Sequence, residues 1–153
     1  MKSRLILLVL LAVVAATPIP AGGKEEISSL SSAMTDSPSL IIQVGQEQFP
    51  VELLDNPASK SLLDQLPLSV EFEDFAGLEK IFYPPKKLSK NEAPSGAKPV
   101  KGNIMYYAPW GDVAIFYKDA AYASGLIPLG NIENVDGLVQ AIKHVDTATL
   151  FKP

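Results

Sequence analysis

The chain has 153 residues, almost half of them apolar, enough for one domain with a substantial core. It has no cysteine, which excludes disulfides, thiolate metal sites, a cysteine nucleophile and a lipid-bearing cysteine. Without Lys2 and Arg4, the remaining eleven basic residues are all lysines and stand against 17 acidic ones, a net charge of −6; such a surface lacks the forked guanidinium that grips phosphates, which argues against nucleic-acid binding.

Met1 to Ala16 has the form of a secretory signal: Lys2 and Arg4 at the start, an apolar run from Leu5 to Val14, and small residues for cleavage after Ala16. The run ends at Thr17-Pro18, short of the roughly 20 apolar residues that span a bilayer. The expected product is secreted or periplasmic, with no stable membrane span after cleavage. Residues 17–38 are rich in Ser, Gly and Pro without an apolar period and read as a flexible tether. Residues 39–152 are the folded domain.

Alternation begins at Ser39. Leu40, Ile42 and Val44, then Phe49, Val51 and Leu53, predict two strands of a hairpin around Gly45-Gln46. Pro50 lacks an N–H and is expected at an edge or facing outward. Asn56-Pro57 opens a short helix carrying Ala58, Leu62, Leu63 and Leu66, stopped by Pro67. Leu68, Val70 and Phe72 predict a third strand, broken by Asp74-Phe75-Ala76-Gly77, and Glu79 to Tyr83 a fourth, with Ile81 and Tyr83 on one face. The stretch after Pro84-Pro85 carries five lysines and reads as a long solvated loop.

Gly102 to Asp119 is the centre of the pattern. Ile104–Tyr107 and Val113–Tyr117 predict antiparallel neighbours joined through Pro109-Trp110-Gly111-Asp112. Val113, Ile115 and Tyr117 share one face, Ala114 and Phe116 the other. Both faces are apolar, so the hairpin belongs in the wall of a closed or double-layered sheet. An irregular stretch, 119–125, leads to a last strand, Leu126–Ile132, with Gly130 as a bulge or close contact. Asn134 then caps a helix with an apolar stripe of Val135, Leu138, Val139 and Ile142. His144, on the same helix, is expected to face water.

Several segments occur together in order: Leu53-Leu54-Asp55-Asn56-Pro57, Glu79-Lys80-Ile81, Pro84-Pro85-Lys86-Lys87-Leu88, Tyr107-Ala108-Pro109-Trp110-Gly111-Asp112, Phe116-Tyr117 and Leu126-Ile127-Pro128-Leu129-Gly130. In these the chain resembles the small microbial cyclophilin-like domain family over about residues 40 to 142. The resemblance implies a mainly β fold, a closed antiparallel β-barrel of about eight strands with two short capping helices. It carries over no catalytic residues.

True cyclophilins isomerise X–Pro bonds by aiming donors at a twisted amide across a barrier of roughly 20 kcal/mol. Their barrel-wall arginine, and the Phe-x-x-x-x-Gln-Gly-Gly segment beside it, have no counterpart after Arg4. A Ser-His-Asp triad would need the solvated His144. Glu71 and Glu73 share a strand face, as an ordinary wet face does. Phosphate cradles, metal loops and dinucleotide fingerprints are absent, so no cofactor is expected.

A binding site is the better expectation. Trp110, Tyr107, Tyr83, Tyr117 and Tyr122 gather around the central hairpin and form the candidate ligand site, an apolar shelf with polar tips for a small molecule or peptide. Phe116 is assigned to packing. The alternatives are an atypical, arginine-free proline isomerase and a module that binds a protein partner.

Overall fold

Alternating apolar residues pair into hairpins from the first described strand onward. Ser39–Val44 (β1) and Glu47–Leu53 (β2) lie antiparallel about the Gly45-Gln46 turn, and every inward side chain of the pair is buried. The structure, a computed structural model, describes residues 37–153. The signal expected at 1–16, and all of the tether but its last two residues, lie outside the described residues. Among the described residues no helix is long and apolar enough to cross a membrane.

Asn56 caps the helix α1 (Pro57–Leu63) as its sequence position predicts. Its Oδ1 accepts from the Ser59 N–H at 2.9 Å, and its Nδ2 donates to the Pro128 carbonyl at 2.9 Å. Ser59 is fully buried and donates through Oγ to the Leu129 carbonyl. Two polar side chains thereby bolt the helix to the strand that contains Pro128 and Leu129.

The next segment departs from the sequence expectation. Leu68–Glu71 (β3) is followed at once by Glu73–Phe75 (β4), which turns through Ala76-Gly77 into Glu79–Phe82 (β5). The tetrapeptide expected to break the strand therefore holds the end of β4 and the turn of a hairpin. All three β4 residues are exposed, so β4 has no apolar pattern to announce it. Its Asp74 Oδ1 accepts from the Gly77 N–H, which closes the turn.

The lysine-rich loop is tied down at several points. Gln65 bonds the Lys86 backbone in both directions, Leu88 is buried in the core, and Gly96–Ala97 (β6) pairs with Ala123–Ser124 (β9). Its five lysines remain exposed.

Asn103–Tyr107 (β7) and Asp112–Phe116 (β8) form the central hairpin, with Ile104 opposite Ile115 and Tyr106 opposite Val113. Leu126–Ile132 (β10) runs antiparallel to both β7 and β2, with a register shift between Pro128 and Gly130. The shift is a bulge, and only glycine fits at its end: a Cβ on Gly130 would collide with the Glu52 carbonyl oxygen. Val135–Ile142 (α2) is capped by Asn134 and buries Val135, Leu138 and Ile142. His144 lies two residues past the end of α2, and is exposed.

A last strand, Thr147–Phe151 (β11), has no counterpart in the sequence expectation. It pairs with both β1 and β3. The main sheet then runs β3-β11-β1-β2-β10-β7-β8-β5-β4, antiparallel throughout. Its outermost strands, β3 and β4, are separated in the chain by Phe72 alone, so the sheet curls into a nearly closed barrel. The Phe72 ring meets Phe82 edge-on at 5.6 Å inside it. Leu62 of α1 and Leu138 of α2 join this interior, and the mainly β, barrel-like class with two helices is as expected.

Candidate functional site

The central hairpin has two apolar faces because its side chains alternate. Ile104, Tyr106, Val113 and Ile115 enter the barrel interior. Met105, Ala114 and Phe116 point outward, with Ile81 from β5 and Leu126 from β10, into a second buried cluster. Ala97, Ala120 and Ala123 pack over it, so the chain around the β6–β9 ladder covers part of this outer face.

The cover is incomplete. Between it and the sheet lies a hollow of about 280 Å³. Phe116, Leu126 and Tyr107 line it from the sheet, Phe75 from the end of β4, Trp110 from the β7–β8 turn, and Pro99, Ala120, Ala121 and Ala123 from the covering chain. Trp110 is held by the β7–β8 turn, where the Tyr107 carbonyl accepts from both the Trp110 and Gly111 N–H groups. Gly111 has φ +83°, a left-handed conformation that favours glycine. The indole meets Phe75 edge-on at 5.3 Å and Tyr107 edge-on at 5.4 Å, and remains 55% exposed.

Two carboxylates complete the lining, Glu79 of β5 and Asp112 of β8. Asp112 is 2% exposed, and its Oδ1 has no hydrogen-bond partner among the described residues. Burial pushes its carboxyl above the usual range, against a hydrogen bond from its own backbone N–H. Glu79 is pushed up to about 7, mainly by burial and further by the charge of Asp112. The site is thus an aromatic hollow with a pair of reluctant anions, one of which titrates near neutrality.

The five aromatic residues proposed from the sequence are divided by the structure. Trp110 and Tyr107 line the hollow. Tyr117 lies on the opposite face, against the barrel interior, and donates to Asp74 Oδ2 at 2.8 Å. Lys80 reaches the same oxygen at 2.8 Å and, with Tyr117 and the Gly77 N–H, holds the Asp74 carboxyl below its usual range. Burial first, and then Asp74, pushes Tyr117 up to about 12. Tyr83 is exposed outside the hollow, and Tyr122 is exposed with its hydroxyl 3.3 Å from Ser95 Oγ.

Sequence reasoning missed Glu79, Asp112 and Phe75; its assignment of Phe116 to packing holds, since the ring is buried in the outer cluster, where it also floors the hollow. A signal for Asp112 was present: two-residue alternation back from Phe116 and Ala114 puts it on the same apolar face. A larger hollow of about 530 Å³ lies between β2 and α2, lined by Pro50, Glu52, Lys101 and Asn131 among others. It contains no buried ionisable side chain, so the smaller, aromatic hollow is the better candidate. Among the described residues no group of three or more His, Asp or Glu could hold a metal ion.

Comparison with known proteins gives a consistent fold. Residues 42–151 match the model of a cyclophilin-like family. The solution structure of a hypothetical protein from Archaeoglobus fulgidus is similar, with TM-score 0.53 and 17% identity over 76% of this chain and 95% of that one. No curated protein matches.

Proposed function

The chain belongs to the cyclophilin-like family, and from that premise we propose that it binds a small molecule or peptide in the hollow beside Trp110, without isomerising proline bonds. The observation that carries the reading is the hollow itself: about 280 Å³ of concave, largely apolar surface on the outer face of the sheet, with two carboxyl groups in its lining. Preformed apolar concavities with a few polar groups are what ligand sites look like.

The same lining speaks against isomerisation. A twisted amide is stabilised best by a cationic donor, and the lining has none: its charged groups, Glu79 and Asp112, are both acidic. The decisive assay follows cis-to-trans relaxation of a proline peptide with and without the protein; the expected rate is the uncatalysed one, over tens of seconds or longer. Binding is tested by titrating small aromatic compounds while watching the emission of the chain's single tryptophan. A saturable change supports the site.

The same proposal includes export to the periplasm or beyond, supported by the basic start, apolar run and small residues of Met1 to Ala16. Protein recovered from the exported fraction should begin at or near Thr17 by mass spectrometry.

A further inference from the structure

Resting on the binding reading above, we infer that the hollow selects an ammonium group carried on an apolar or aromatic body, with Asp112 as its principal partner. Three observations converge. Asp112 presents a buried carboxylate oxygen with no partner among the described residues, and it lines the hollow. A buried anion in that state is costly until a donor, best a charged one, reaches it. Glu79 adds a second acid to the same lining, so a cation between them relieves like-charge repulsion as well as desolvation. The rings of Trp110, Tyr107 and Phe75 offer the electron-rich surfaces that attract ammonium groups.

The alternatives fit less well. No lysine lines the hollow, so an anionic ligand has no counter-charge there. A hard metal ion takes about six to eight oxygen ligands, and two carboxylates are far from that set. The apolar floor of Phe116 and Leu126 is better matched by a hydrocarbon body than by a hydrated ion.

The titratable groups lining the hollow are Glu79, Asp112 and Tyr107. From the packed elements, Glu73 of β4 stands opposite Ile81 on the same face but is exposed, while Lys80 of β5 is turned to Asp74. Affinity for an ammonium ligand therefore follows the deprotonation of Glu79 and Asp112 and strengthens as pH rises through neutrality.

The experiment compares 2-phenylethylamine with 2-phenylethanol by calorimetry on the intact chain at about pH 8, where a lysine-like amine is still charged. The amine should bind at least about tenfold more tightly than the alcohol. Asp112→Asn should abolish that preference, and Glu79→Gln should reduce it and flatten its rise between about pH 6 and pH 8, both near Glu79's titration. Circular dichroism checks that each variant is folded, and Glu79→Gln carries the test alone if Asp112→Asn is not. Equal affinity for amine and alcohol, or an Asp112→Asn protein that keeps the preference, overturns the ammonium assignment and leaves the binding site standing. No saturable heat from either compound overturns the site itself.

Discussion

The two faces of the β7–β8 hairpin carry the same kind of residue and meet different fates. The inner face, with Ile104, Tyr106, Val113 and Ile115, closes against strands and helices from across the barrel. The outer face, with Met105, Tyr107, Ala114 and Phe116, is covered only partly, by short segments rich in alanine and by one tryptophan. Alanine-rich cover cannot fill the space above a phenylalanine floor, and what is left is a hollow. The inner face is where apolar burial stabilises the fold. The outer face gives up some packing and contains two carboxyl groups that burial disfavours. Stability and the proposed binding are thus divided across the thickness of one sheet.

The largest expected effect tests the inner face. Ile115 is fully buried, so Ile115→Ala should cost about 2–5 kcal/mol, read from the urea midpoint. A cost well below that range would mean the interior can collapse into the gap and is not the tighter of the two faces.

The second effect tests the outer face by pH. Glu79 has a folded pKa of about 7, above its ordinary value of 4.5, so between those values the native state binds the extra proton. Stability from this group is fully present below about pH 4.5 and is lost as pH rises through about 7, by up to about 3 kcal/mol before solvent screening of this half-buried carboxyl reduces it. Asp112 acts in the same direction. Glu79→Gln should therefore flatten the fall in unfolding free energy between about pH 5 and pH 8. An unchanged slope would move the titrating group elsewhere.

Much of the inner face was legible in the sequence, because a two-residue apolar period is a local signal. β1, β2, β7, β8 and β10 all appear at or within two residues of their expected places, and both helices start at their expected Asn caps, although α1 ends at Leu63, three residues before the expected Leu66. β4 was not legible: Glu73, Asp74 and Phe75 are all exposed, and only pairing with β5 makes them a strand. β11 has just two buried residues, Ala148 and Leu150, and takes its identity from β1 and β3, both far earlier in the chain. The outer site divides the same way. Trp110 and Tyr107 follow from the turn and the alternation. The hollow itself depends on where residues 120–123 cross the sheet, which no local pattern dictates. Tyr117 does not line the hollow: the alternation groups it with Val113 and Ile115, and the structure makes theirs the inner face.

A third, smaller effect isolates the unpartnered oxygen. Asp112→Asn removes the charge that burial penalises while keeping the shape, so it should stabilise the protein by about 1–2 kcal/mol above neutrality. In acid, where the aspartate is itself protonated, the two proteins should unfold alike. Thermal midpoints across pH provide the comparison, and a destabilised variant at high pH would show that the carboxylate has a partner it depends on.

The smallest effect on stability should come from the residue most central to binding. Trp110 is more than half exposed and touches the outer face through two edge-on aromatic contacts, each worth roughly 0.5–1.5 kcal/mol. Because the indole is mostly in solvent, Trp110→Ala should lower the unfolding free energy by about 1 kcal/mol, the low end of that pair's sum and short of the 3–5 kcal/mol that removal of a core aromatic costs. The same substitution strips one wall from the hollow and should abolish saturable binding of 2-phenylethylamine. A large stability loss would make Trp110 a brace for the β7–β8 turn, and the outer face would then be a second core rather than a receptor. A small stability loss with binding gone keeps the two faces distinct: one is filled by the chain's own side chains, and the other is shaped to be filled from outside.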